Sequence, residues 1–393
     1  MTRRLKNIYH WLIAFLATVY YHFPSKKLKI IGVTGTDGKT TTVTLIAHIL
    51  SKAGFNADSI STVSAPGLHT TTPNSFAVQR FLRKAVNQKK KYIVLETTSH
   101  GLDQHRLAGI NFLAAVITNI TREHLDYHRT FQNYLAVKAK LFKKVKIAVL
   151  NRDDESYKYL DTKIQRYKDT KIVTYGIKKE ADFTPQKFKF TTSLPGDYNQ
   201  YNCLAAIAVC AFLGISAAEI KKAVASFKGV KGRMEEIKEG QDFKVFVDFA
   251  HTPAAFEKVI PTVRKMTRGE VIHVFGCTGN RDKSKRSIMG RIAAQLDDKV
   301  ILTHEDTYRE DPEKIMAEIE PGVKKGGKIL GKSYWKIFDR GEAIKQAVSI
   351  AKKGDAVLIT GVGHQTSLNL GGHEVSWSDQ KEVKEAIKEK RSA

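Results

Sequence analysis

The segment Gly32–Thr42, "GVTGTDGKTTT", joins an apolar run to a run with helical spacing, and its residue types suit a phosphate chain. Backbone N–H groups of a Gly-rich turn and a helix N-terminus can hold phosphate oxygens. Lys39 can neutralise the outer phosphates, and the Thr40 hydroxyl can ligate Mg²⁺. Gly35, Thr36, Asp37, Gly38 and Thr41 complete this candidate ATP-binding loop. Val33 stands where the strict GxxxxGK spacing would put its first glycine. A purely structural glycine turn, however, has no need of the adjoining Lys-Thr pair.

Two further candidates lie just past apolar runs. Glu96 closes "YIVLE", where an open parallel sheet presents its ligands, and its oxygens suit the same Mg²⁺. His124, in "TNITREHLDYH", follows the next such run. A lone histidine is more often a satisfied surface or core residue, so its place beyond a strand end is what recommends it.

Lys138 breaks a pattern. In "FQNYLAVKAKLF", Phe131, Tyr134, Leu135, Leu141 and Phe142 share one helical stripe with Lys138 in its middle, while Lys140 and Lys143 face the opposite way. An inward lysine can snorkel. A desolvated one also has a lowered pKa, and its neutral amine can take up CO₂ as a carbamate, an oxygen ligand for Mg²⁺.

The elements that must position these residues alternate. "KIIGVTG", "YIVLET", "LAAVITNI", "KIAVLNRDD" and "KIVTYGI" read as strands separated by helices such as "KTTTVTLIAHILSKAG". After the helix "YNQYNCLAAIAVCAFLGI" and the turn-rich "FKGVKGRMEE", a second strand set follows: "FKVFVDFA", "VIHVFGC", "KVILT" and "DAVLITG". The fold class is α/β. It comprises a P-loop central domain with a mostly parallel sheet over 29–228 and a Rossmann-like C-terminal α/β domain over 229–393, preceded by a short apolar and basic helix over 1–28. The apolar stretch from Trp11 is interrupted at His22, short of the ~20 residues of a spanning helix, and no small-residue cleavage site precedes the lysines. Peripheral membrane contact through that helix and packing on the protein's own core both fit.

The 393 residues carry 65 Lys and Arg against 40 Asp and Glu, a net charge of +25, which points to an anionic partner. The lysines are dispersed and no RNA-binding or helix-turn-helix signature occurs, so a phosphate-bearing substrate is expected rather than nucleic acid. Cys203, Cys210 and Cys277 show no paired or CxxC spacing and suit a reducing compartment.

As an ordered set, the motifs resemble the Mur ligase family, in its MurE type that adds the third residue of a peptidoglycan stem peptide. The matching segments are "GVTGTDGKTTT", "ETTSHGLDQHRL", "TNITREHLDYH", "YLAVKAKLF", "GDYNQYNCLAA", "GRMEEI", "VDFAHTPAAFEKVI", "VFGCTGNRDKSKRSIMG" and "GVGHQTS". The resemblance implies an ATP-dependent amide-bond ligase with an acyl-phosphate intermediate, using ATP, Mg²⁺ and a carbamylated Lys138. It assigns Lys39 and Thr40 to the β/γ-phosphates and the first Mg²⁺, with Glu96 on that metal, and His124 and Lys138 to the second. Asn199 and Asn202 match adenine-side asparagines, Arg233 a nucleotide-contacting arginine, and Asp248 the acid on the ribose, although Asp248 also reads as a turn residue. Thr71, Thr72, Ser99, Gln104 and Arg106 match the region binding the UDP-N-acetylmuramoyl-dipeptide acceptor. A cytoplasmic monomer acting on that acceptor and a free amino acid is the implied setting.

The pattern is departed from in three places. Only some 28 residues precede the P-loop strand, where this type normally carries a separate domain for the UDP end. Asp37 replaces a common Asn. In "THEDTYREDP", Asp306, Thr307 and Tyr308 stand where diaminopimelate-adding members carry Asn-Pro-Arg, and Gln365 in "GVGHQ", after Gly361, replaces a glutamate. Arg309 sits one place along, a shift that a bidentate carboxylate clamp tolerates poorly. Glu305 and Asp306 favour an amine-ended substrate such as lysine over diaminopimelate. The same acids also suit a plain helix cap for "PEKIMAEI". A related ligase on another acceptor (folylpolyglutamate-like, or on another cell-wall polymer) and a plain P-loop ATPase are the alternatives.

Overall fold

The computed structural model describes residues 3–64, 72–121 and 123–392. It divides into two compact units, Met1–Lys228 and Gly229–Ala393.

The N-terminal unit runs α1 (Arg3–Tyr20), β1 (Lys29–Thr34), α2 (Lys39–Lys52), β2 (Ala57–Ile60), α3 (Ser75–Asn87), β3 (Tyr92–Glu96), α4 (Ser99–Asp103) and β4 (Phe112–Ile117). It continues with α5 (Leu125–His128), α6 (Phe131–Ala139), β5 (Ile147–Asn151), α7 (Tyr157–Ile164), β6 (Lys171–Tyr175), α8 (Asp197–Phe212) and α9 (Ala217–Ser226). Its sheet has the order β2-β3-β1-β4-β5-β6 with every pairing parallel. Strands covered on both faces need continuous apolar runs, and β3 and β5 are buried at every position. From β1 the chain goes out to the edge at β2, returns to β3 on one side of β1, then crosses to β4 on the other. The reversal of direction therefore falls at β1, where the carboxyl ends of β3, β1 and β4 open a crevice. In register, Val33 lies opposite Glu96 and Thr34 opposite Ile117, which brings three loops together.

Two helices matter most for the site. α8 is apolar all round, with every residue from Cys203 to Cys210 buried, as a helix enclosed by protein must be. α6 starts at the Thr130 cap, whose side chain accepts from the Asn133 N–H, and ends in a 3₁₀ turn over Lys140–Phe142. Tyr134, Leu135, Lys138, Leu141 and Phe142 are buried and Lys140 and Lys143 exposed, as the stripe predicts; Phe131 is half-buried.

The C-terminal unit comprises β7 (Glu235–Glu236), β8 (Lys244–Val247), α10 (Pro253–Met266), β9 (Val271–Phe275), α11 (Ser284–Leu296), β10 (Lys299–Leu302) and α12 (Pro312–Lys325). Then come β11 (Tyr334–Lys336), α13 (Arg340–Ile350), β12 (Ala356–Ile359), the hairpin β13 (Ser367–Leu370) and β14 (His373–Ser376), and α14 (Asp379–Ser392). Its sheet, β11-β10-β9-β12-β8-β7, is parallel except for the antiparallel edge strand β7. Two buried groups here, Arg340 and His273, are hydrogen-bonded as low dielectric requires. Arg340 forks onto both oxygens of Asp379 at 2.8 Å, and His273 meets Asp297 at 2.7 Å and Thr360 at 2.9 Å.

Candidate active site

The loop after β1 is held from two sides. Gly38 sits at φ +79°, and a Cβ there would come within 2.2 Å of Asn202 Oδ1 on α8, so only glycine lets the two approach. From the end of β4, Thr118 Oγ1 and Asn119 Nδ2 donate to the Asp37 carbonyl at 2.6 and 3.1 Å, and Asn119 Oδ1 accepts from the Asp37 N–H at 3.0 Å. Lys39 Nζ donates to the Thr36 carbonyl at 2.8 Å. The loop closes directly onto the N-terminus of α2, whose first amide groups and dipole favour an anion.

Beside it, Glu96 is almost fully buried at the end of β3. Its Oε2 accepts from Thr40 Oγ1 at 2.9 Å and from the Thr62 N–H and hydroxyl at 3.0 and 3.1 Å. A carboxylate grouped with two hydroxyls is a hard oxygen set of the kind Mg²⁺ takes, and it lies next to the phosphate loop. The expected Thr40 and Glu96 are thus brought together.

Lys138 is 1% exposed, and its Nζ donates to the Gly35 carbonyl at 2.6 Å while lying 4.6 Å above the Tyr134 ring. Burial, and then the nearby Lys39 charge, hold its ammonium pKa well below the usual lysine range. The Tyr134 hydroxyl is 3.1 Å from Thr36 Oγ1, and burial pushes its phenol up. His124 adopts φ +54° with an exposed side chain, its ring 6.2 Å from that of Tyr134 and 4.9 Å from that of His100. His124 and Lys138 therefore flank one tyrosine. Among the described residues no three His, Cys, Asp or Glu side chains form a metal-binding group.

Of the residues expected on the acceptor side, Thr72, Ser99, Gln104 and Arg106 lie together. Arg106 donates to the Thr72 carbonyl at 2.6 Å and forks onto Gln104 Oε1 at 2.9 and 2.6 Å. Thr72 Oγ1 donates to the Glu96 carbonyl and accepts from the Thr98 N–H, next to buried Ser99 at the start of α4. Thr71 lies outside the described residues. Asn202 Nδ2 donates to Asn199 Oδ1 at 2.9 Å, and Asn199 anchors on the Pro195 carbonyl at 2.6 Å.

In the C-terminal unit, Arg233 places its guanidinium 4.5 Å over the Phe249 ring. Asp248 accepts from the Met234 N–H at 2.6 Å and the Ala250 N–H at 2.7 Å, so it braces the turn that directly follows β8. The acidic loop is bound up in itself. Asp306 accepts from the Asn369 N–H at 2.8 Å on one oxygen and from Gln365 Nε2 at 3.3 Å on the other. The Thr307 and Tyr308 N–H groups both donate to the Asn369 carbonyl. Tyr308 takes φ +50°, and Arg281 lies 5.9 Å over its ring. Arg309 is exposed and lies against the Gly372 turn instead. Gly361, at φ +102°, is packed so closely that a Cβ would come within 2.0 Å of Glu305 Oε1. That oxygen is buried with no hydrogen-bond partner, and burial raises the Glu305 pKa. Asp311 caps α12 through the Glu313 N–H at 2.9 Å, so the capping role belongs to the last acid of the patch.

Several working residues carried no sequence signal strong enough to single them out. Asn119 and Thr118 follow β4 in "ITNIT" and shape the phosphate loop; Thr62 supplies a second hydroxyl to Glu96; Asn369 organises the acidic loop. Only the strand-end position of Asn119 could have pointed to it.

The Mur ligase middle domain model matches residues 33–210, and the model for the Mur ligase, glutamate ligase domain matches residues 232–363. The chain belongs to the Mur ligase family. It is therefore an ATP-dependent, amide-bond-forming ligase, and the family requires Mg²⁺ in general. This Mur ligase is 37% identical to the UDP-N-acetylmuramoyl-L-alanyl-D-glutamate–2,6-diaminopimelate ligase of Geobacillus thermodenitrificans, over 96% of this chain and 83% of the relative. A solved structure of a ligase of the same description is 33% identical with TM-score 0.64, spanning 93% of this chain and 79% of that one. The folylpolyglutamate synthase of Mycobacterium tuberculosis, 16% identical with TM-score 0.71 over 89% of this chain and 92% of that one, shares the fold alone. The expectation of a Mur-type α/β ligase is met, with an antiparallel edge strand added to the C-terminal sheet.

Proposed function

We propose that this Mur ligase joins an amino acid to a UDP-N-acetylmuramoyl-dipeptide, the step of peptidoglycan stem-peptide synthesis named in its relatives. The observation that carries this reading is the crevice at β1. There the phosphate loop, the Glu96–Thr40–Thr62 oxygen set and the Thr72–Gln104–Arg106 cluster adjoin, so that a triphosphate and an acceptor carboxylate can meet.

The acceptor carboxylate attacks the γ-phosphorus and ADP leaves. The substrate amine then attacks the acyl carbon, loses a proton, and phosphate departs from the tetrahedral intermediate. Two anions must approach each other in the first step. Lys39 and the α2 N-terminus supply positive potential on the phosphate side. Arg106, fixed by Gln104 and Thr72, supplies it on the acceptor side. Mg²⁺, when bound by Glu96 and Thr40, adds Lewis-acid charge neutralisation at the phosphates. Because burial holds the Lys138 pKa low, its amine is suited to take up CO₂: nitrogen bonds to carbon, one N–H proton is released, and the carbamate formed would serve a second Mg²⁺ with His124. Asn199 and Asn202 are the further nucleotide contacts proposed within the N-terminal unit, and Arg233 and Asp248 those proposed within the C-terminal unit.

The amino acid added is proposed to end in an amine rather than the second carboxylate of diaminopimelate. Tyr308 offers no guanidinium, Arg309 points to the Gly372 turn, and Asp306 is committed within the loop, leaving buried Glu305 as the acid with an unpartnered oxygen. The deciding measurement is phosphate release from ATP with acceptor dipeptide and amino acid added singly and together, using lysine, ornithine and diaminopimelate. Release only with both supports the ligase reading. Release at the same rate without them makes the chain a plain ATPase.

A further inference from the structure

α1 is attached to the N-terminal unit by its least apolar face. Its buried residues are small or polar: Ala14, Ala17 and Thr18. Thr18 Oγ1 accepts from Gln79 Nε2 at 3.0 Å on α3, and Gly109, at φ +81°, has Thr18 Oγ1 within 2.4 Å of where a Cβ would be. Arg83 donates to the Tyr21 and His22 carbonyls at the helix end, and Ser25 Oγ donates to the Gly109 carbonyl at 3.0 Å. The helix is thus fixed in place by directional bonds.

Its large apolar side chains point the other way. Leu5, Ile8, Tyr9, Trp11, Leu12, Phe15, Leu16, Val19 and Tyr20 are 42% to 68% exposed. Phe76, at the start of α3, extends the patch and touches the Tyr20 and Tyr21 rings. An ordinary surface helix buries such residues and exposes the small and polar ones, so this orientation needs an external apolar phase.

We infer that the outer face of α1 is a docking surface for an anionic lipid bilayer, and that the enzyme binds it peripherally. Charge selects this occupant. Arg3, Arg4, Lys6, Lys26, Lys27 and Lys29 bracket the helix in sequence, and no Asp or Glu occurs before Asp37. A second copy docked on the same face would set two such basic segments together with no acid in either to pair them, whereas anionic headgroups neutralise both ends of the helix. Tyr and Trp among the exposed residues are of the kind that settle at headgroup depth. No described helix is long and apolar enough to cross a membrane, so the helix lies in the interface. The bonds from Thr18 and Ser25 to the Ala108 and Gly109 carbonyls hold the inner face of α1 against the unit and leave the apolar face outward. The inference does not depend on which amino acid or acceptor the enzyme uses.

The test is co-sedimentation of the full chain with vesicles of equal parts phosphatidylglycerol and phosphatidylcholine, against vesicles of phosphatidylcholine alone. Wild type is expected to sediment with the anionic vesicles, and high salt should weaken that binding. Combining Leu12→Glu, Phe15→Glu and Leu16→Glu should lower it about tenfold or more. Lys26→Glu with Lys27→Glu, both exposed, should lower it on anionic vesicles while the melting temperature stays unchanged. Unaltered sedimentation of both variants overturns the inference. So does a wild type that ignores the vesicles and is a dimer dissociated by the Leu12, Phe15 and Leu16 substitutions, which would assign the face to a second copy.

Discussion

Lys138 Nζ lies 2.6 Å from the Gly35 carbonyl oxygen, so the buried amine of α6 reaches directly into the phosphate loop. Without CO₂, that bond fastens the loop to the helix. In the proposed carbamate, the carboxylate oxygens added to that nitrogen would carry a negative charge beside Lys39, which would then stabilise the group it otherwise opposes. Lys138→Ala is expected to reduce ligase activity by on the order of 10²-fold or more, as loss of preorganised charge stabilisation does. Added formate or acetate should restore part of it by occupying the vacated space. Intact ATP binding with no rescue at any carboxylate concentration would remove the carbamate and leave Lys138 a loop-fastening residue.

Gly38 faces Asn202 with no room for a methyl group. Gly38→Ala should weaken ATP binding at least about tenfold, because both the positive φ and the 2.2 Å approach oppose a Cβ. Adding Asn202→Ala removes the clash but not the backbone strain, so titration calorimetry should show incomplete recovery. Full recovery would mean that the close approach alone requires glycine.

What could be read in the sequence was what depends on neighbours along the chain. The phosphate loop is legible because strand, glycine turn and helix start are consecutive, and Glu96 because a strand end is a local feature. Lys138 was visible as a charge inside a helical stripe, and its burial follows from the stripe. Thr62, Thr118 and Asn119 were not, because their roles come from the β2-β3-β1-β4 order, which sets segments far apart in sequence edge to edge. Asn369 belongs to the same class: it meets Asp306 across 63 residues. Asp306 itself looked like a free acid in the sequence, and only Asn369 of the hairpin together with Gln365 just before it uses up its oxygens.

Glu305 gives a pH signature. Burial raises its pKa above the ordinary carboxylate range, against the opposing pull of Arg340, Lys285 and the Thr278 hydroxyl. The folded state therefore holds this proton more tightly than the unfolded chain. Its contribution to stability is fully present below the unfolded value of about 4.3 and is lost as pH rises through the folded value. Glu305→Gln keeps the shape and removes the ionisation, so its melting temperature at pH 7 should exceed that of wild type by about 2–4 °C, the shift for ~1 kcal/mol in a unit of this size. Near pH 4 the two curves should meet. A variant less stable than wild type at pH 7 would show that the ionised form is the one the fold prefers.

Tyr308 occupies the position whose side chain decides the third substrate in the proposed reading, and its φ of +50° is compatible with replacement by another non-glycine residue already held in that turn. Tyr308→Arg would set a second guanidinium beside Arg281. A bidentate guanidinium–carboxylate pair discriminates far more strongly than an apolar contact, since the competing substrate leaves it unpaired. The variant is therefore expected to raise kcat/KM for diaminopimelate relative to lysine by about tenfold. Adding Gln365→Glu supplies an acceptor for the amine of the same side chain, but it also replaces the amide that donates to Asp306 with a like charge. The double variant should therefore gain less than the two changes would separately, unless Asp306→Asn is introduced with it. Wild type already preferring diaminopimelate, with Tyr308→Arg neutral, would place side-chain recognition outside this loop.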